Sequence, residues 1–100
     1  MKIKPCMALL LLLLPAAVLA QNVAAARSLA ATCANCHGTN GASRGEVPSL
    51  AGAAADITIA KMAAFKSGAL PATVMHQIAK GYTEDQIKLL AGFFASQPAK

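Results

Sequence analysis

Acidic residues are scarce in this chain: 4 Asp and Glu stand against 9 Lys and Arg in 100 residues. None of Glu46, Asp56, Glu84 or Asp85 lies beside a histidine in sequence, so the chain shows no acid–base or nucleophilic constellation. Tryptophan is absent, and one tyrosine and three phenylalanines leave little for bases to stack on. The cations are dispersed rather than clustered, which excludes a nucleic-acid binder. Cysteine numbers 3, too few for a disulfide framework. The one long apolar run, Leu9 to Leu14 and its flanks, is too short for a comfortable membrane span and is interrupted by Pro15. No stretch alternates as a strand does, so the fold class predicted is all-α.

Met1 to Ala20 has the layout of a secretory signal peptide. Lys2 and Lys4 precede the apolar run, and Val18-Leu19-Ala20 supplies small residues before a cut at Gln21. Cys6 lies in the charged region, without the small-residue run that precedes a lipoprotein cysteine, and is read as passive. The exported chain expected is Gln21 to Lys100, a single domain of 80 residues in the periplasm. Removing Lys2 and Lys4 takes the formal charge from +5 to +3. A domain of this size seldom builds a sufficient core unaided. Its two remaining cysteines are too close in sequence to staple distant elements.

Those two lie in Cys33-Ala34-Asn35-Cys36-His37. On one helical turn, two thiols at this spacing reach the two vinyl groups of a porphyrin, and the histidine that follows is held against the ring face as an iron ligand. The competing readings are a thioredoxin-like redox pair, half of a zinc site and a structural disulfide. No strand–helix–strand pattern surrounds the motif, and no further cysteine of the exported chain completes a zinc set. The expectation is one haem c, attached through Cys33 and Cys36, with His37 as proximal ligand. Covalently held porphyrin also supplies the apolar mass that so small a domain lacks.

Around the motif, Val23 to Thr32 is alanine-rich and predicted helical, with Val23, Ala26, Leu29 and Ala30 on a narrow apolar face. Gly38 to Pro48 is read as a loop wrapping the proximal edge of the haem. Asp56 to Lys66 is predicted helical, with Lys61 and Lys66 outward and Gly68 as its stop. Pro71 stands where a first helical residue is expected, before a short helix over Thr73 to Lys80 ended by Gly81. Thr83-Glu84-Asp85-Gln86 is a capping box. It opens a last helix with Ile87, Leu90 and Phe94 on one face, in which Gly92 is expected to admit close contact with the first helix.

A second iron ligand separates an electron carrier from a gas-binding or catalytic haem protein. Met62, Met75 and His76 are the candidates, and spacing alone does not choose among them, since a methionine on an apolar helix face is commonly core.

The exported chain resembles the small class I cytochromes c of the cytochrome c4 type. It is most similar to the cytochrome subunit of flavocytochrome c sulfide dehydrogenase. The residues that carry the likeness are Cys33 to Gly41, Pro48-Ser49-Leu50-Ala51, Phe65-Lys66-Ser67-Gly68, Met75 to Tyr82, and Leu90 to Gln97. The resemblance implies a class I cytochrome c fold, four or so short helices around one haem. It implies Met75 as the sixth ligand, and Pro48 as the residue whose carbonyl accepts the Nδ1 proton of His37. It also implies that the first and last helices cross. Some relatives of this type carry two domains and two haems, whereas this chain has one motif. The function implied is a periplasmic electron carrier, not an enzyme by itself, taking electrons from a flavoprotein sulfide dehydrogenase and passing them to a downstream acceptor protein. A free diffusible carrier is the alternative, with Lys61, Lys66, Lys80 and Lys88 steering its docking.

Overall fold

The computed structural model describes residues 5–100, and side chains from residue 15 onward. Helix is the only extended regular structure among the described residues: α1 (Pro5–Ala31), α2 (Ala34–His37), a 3₁₀ turn over Thr39–Gly41, α3 (Ala55–Ser67), α4 (Met75–Ala79) and α5 (Glu84–Ala95). The all-α expectation holds. The first helix is longer than Val23 to Thr32, because alanine, leucine and glutamine favour helix on both sides of the expected cleavage point. Every residue from Pro15 to Ala25 is exposed, and Ala26 is the first to be buried. No described helix is long and apolar enough to cross a membrane.

Local chemistry sets most of the remaining boundaries. Gly68 ends α3 in the left-handed conformation, φ 82°, which a residue without Cβ adopts freely. Both bonds of the capping box are made: Thr83 Oγ1 accepts from the Gln86 N–H at 3.1 Å, and Gln86 Oε1 accepts from the Thr83 N–H at 2.9 Å. The short helix differs from its expected span. It starts at Met75, because Val74 sits at φ −133° and the chain from Pro71 to Val74 is irregular. Pro71 therefore does not open it.

α1 packs across α5, as the resemblance implied, and α3 packs on both α4 and α5. Gly92 is not the reason for the crossing. A Cβ built there would meet nothing within 4 Å; the α1 residue packed with Leu90 and Phe94 of α5 is Ala30.

The core is in two parts. One gathers Ala30, Leu90 and Phe94, with Leu29, Cys33, Leu50, Tyr82 and Phe93 against it. The other gathers Met62, Ala79 and Ile87, with Ile59, Phe65, Met75 and Tyr82 against it. α5 supplies large residues to both, and Tyr82 packs on both. Meanwhile Val47, Ile57, Val74 and Ile78 stay 40–54% exposed. That is a large amount of uncovered β-branched surface for a chain this small.

Candidate functional site

After Ala31 the backbone turns and re-enters helix, with the His37 N–H donating to the Cys33 carbonyl at 2.9 Å and the Gly38 N–H to the Ala34 carbonyl at 3.0 Å. One helical turn therefore carries Cys33, Cys36 and His37. Both cysteines are free thiols; Cys33 is half-buried and Cys36 exposed. Burial pushes the Cys33 thiol above its ordinary pKa, partly offset by the Thr32 side chain beside it. Conversion to a thioether removes that titration and leaves an apolar sulfur suited to the buried side of the turn.

The loop that follows folds back so that Nδ1 of His37 lies 2.6 Å from the Pro48 carbonyl. A carbonyl only accepts, so Nδ1 carries a proton, and in the neutral ring Nε2 keeps its lone pair. This is the orientation a metal-ligating imidazole needs. Gly38 permits the reversal: at φ 87°, a Cβ would stand 2.1 Å from the Ala42 carbonyl oxygen. Gly41 permits the docking, because a Cβ there would stand 2.7 Å from the Phe94 ring. Its carbonyl accepts the N–H groups of Leu50 at 2.8 Å and Ala51 at 3.1 Å. The first residues of the loop form a 3₁₀ turn rather than irregular chain.

The candidate second ligands fall in different places. Met62 is buried in the core. Met75 is half-buried at the start of α4, against the same cluster. His76 keeps its Nδ1 buried with no hydrogen-bond partner. Lys66 does not project outward as its helical position suggests; its ammonium instead donates to the Tyr82 carbonyl. A four-carbon stem allows the charge to reach back over its own helix. Lys61, Lys80 and Lys88 are exposed as expected.

These residues fit a covalently held porphyrin. Two unpaired thiols share one turn with an imidazole whose Nε2 is bare. They fit zinc poorly: among the described residues, no group of three or more His, Cys, Asp or Glu comes together.

The family model for cytochrome c matches residues 23–97. The chain belongs to the cytochrome c family. It is 39% identical over 72 residues to the cytochrome subunit of sulfide dehydrogenase from Chlorobaculum tepidum, a match covering 72% of this chain and 66% of that relative. It is 38% identical over 64 residues to cytochrome c-552 of Acidithiobacillus ferridurans, covering 64% of this chain and 28% of that one. The matches thus span about two thirds of one relative's length and under a third of the other's. This cytochrome carries one haem c, bound covalently through Cys33 and Cys36. It is an electron-transfer haem protein and not by itself an enzyme.

Thr32 and Tyr82 are the site residues that sequence reasoning gave no role. Their hydroxyl oxygens lie 2.7 Å apart across 50 positions of sequence. The available signal was slight: Tyr82 is the chain's single tyrosine, and a half-buried tyrosine needs a partner for its hydroxyl.

Proposed function

We propose that this cytochrome is exported to the periplasm and works as the electron-accepting subunit of a sulfide dehydrogenase, taking electrons from a flavoprotein partner. His37 and Met75 are the residues that would hold its haem iron. The observation that carries iron binding is the His37–Pro48 hydrogen bond, which holds Nε2 ready for the metal; the carrier role rests on the likeness to cytochrome c. The partner rests on the 39% likeness to a sulfide dehydrogenase cytochrome subunit.

When bound, the haem supplies a one-electron Fe(II)/Fe(III) couple. The chain does the rest. Cys33 and Cys36 anchor the group, and Pro48 fixes the imidazole plane and raises its basicity. Met75 offers a soft thioether, which favours the reduced state relative to a second imidazole. Ligands kept in both oxidation states leave little to rearrange during transfer. The exported domain is Gln21 to Lys100. Among residues 15–20, the part of the proposed leader whose side chains are described, none is buried, so cutting before Gln21 takes nothing from the described core.

Two measurements test this. The ferric wild type is expected to show the weak red-edge absorption of a thioether–iron bond, and Met75→Ala to lose it; a band that is absent, or that survives the substitution, removes Met75 from the site. Purification from native periplasm is expected to yield a flavin-containing complex and a mature N-terminus at Gln21. A lone haem-loaded monomer identifies the free diffusible carrier instead.

A further inference from the structure

We propose that the Tyr82 hydroxyl is a latch tying the methionine-bearing segment to the haem-attachment turn, which makes Tyr82 a positioning residue for Met75. This rests on Met75 being the second ligand. The Thr32 hydroxyl donates to the Leu29 carbonyl at 2.8 Å. A threonine has one hydroxyl proton, so in the 2.7 Å pair with Tyr82 the tyrosine donates and Thr32 accepts. Thr32 immediately precedes Cys33, and its position is set by the last turn of α1.

At the other end, Tyr82 is held firmly with respect to α4. Its N–H donates to the Ala79 carbonyl at 3.3 Å, and the Gly81 N–H donates to the Ile78 carbonyl at 3.0 Å. The Lys66 ammonium fastens the Tyr82 carbonyl to α3. The aromatic ring packs on both core clusters, the one that holds Cys33 and the one that holds Met75.

α4 has need of such a tie. It is five residues long, with no side-chain cap at its start, and it packs on α3. A segment so short has little stability of its own. The hydroxyl pair ties Tyr82, three residues past its end, to Thr32, the residue just before Cys33. Loss of the bond frees Met75 to move away while the ring packing remains.

The test uses the haem-loaded ferric protein and imidazole, which competes for the position Met75 occupies, with disappearance of the thioether band as readout. Tyr82→Phe keeps the ring and removes the donor; Thr32→Val removes the acceptor at an exposed position and is the safer variant for folding. Each is expected to raise the apparent imidazole affinity about threefold, the low end for one hydrogen bond at a site open to water. The double variant is expected to match the singles, because both remove the same bond, and Thr32→Ser to match the wild type. A merely structural role lowers global stability without this pattern. Unchanged affinity in both single variants, or additive effects in the double, overturns the latch. A wild type that lacks the thioether band overturns the Met75 assignment beneath it, a failure distinct from an unmoved affinity in a protein that shows the band.

Discussion

The half of the molecule that holds the cysteines and the half that holds Met75 are built on different plans, although α5 serves both. In the attachment half, residues 33–42 and 50–52 are tied by closely spaced backbone bonds, and a distant ring, Phe94, is seated on Gly41. In the methionine half, Thr58, Met62, Ala79 and Ile87 are buried from three separate helices. The helix with the candidate ligand is one of the shortest in the chain. The difference follows from what each half must do. A covalent bond to a rigid ring fixes the spacing of its partners within a single turn. A thioether donor only has to arrive, and any chain path that packs will bring it.

Three substitutions probe that contrast. Gly41→Ala strikes where the attachment half is tightest. With φ at 80° and a new Cβ within 3.0 Å of the Phe94 ring and the Ala51 nitrogen, stability to guanidinium is expected to fall by about 2–4 kcal/mol. The neighbour it meets is a fully buried ring, which has nowhere to go. Thr83→Ala removes the cap where α5 leaves the methionine half. It is expected to cost about 1 kcal/mol, and the thioether band should fade at lower denaturant than the helical signal does. If Gly41→Ala costs no more than Thr83→Ala, the two halves are equally tolerant and the contrast is gone. The smallest effect has the opposite sign. Gly92→Ala fills open space in a helix interior, and the midpoint of unfolding should rise by an amount equivalent to about 0.5–1 kcal/mol.

Much of the fold is readable from sequence where its rules are local. The Cys33–His37 spacing, the Thr83–Gln86 capping box, the Gly68 stop and the Ile87, Leu90, Phe94 face all depend on residues within a turn or two of one another. Spacing does not single out Met75, whose place comes from family likeness, because its position depends on how α3 and α4 pack. Gly92 misleads for a related reason. A glycine in a helix marks either close approach or nothing at all, and only the neighbouring helix decides which. Pro71 fits the start of a helix, yet helix begins at Met75 because Val74 leaves the helical region. Lys66 and Tyr82 look like surface residues in a linear reading. A long cationic side chain bends back to a carbonyl, and a phenol finds a hydroxyl 50 positions away; neither partner is marked in the pattern of apolar residues.

Phe94 joins the attachment loop to the C-terminal helix twice over. Its ring fills the space above Gly41, and its carbonyl accepts the Gly52 N–H at 2.9 Å. A polypeptide is made from its amino end, so the residue that closes this loop emerges well after the loop itself. Until then the loop lacks both the ring and the carbonyl that tie it down. A chain cut short before Phe94 is expected to leave residues 41–52 open to protease, so that the last helix acts as the lock on a loop that begins more than 40 positions earlier.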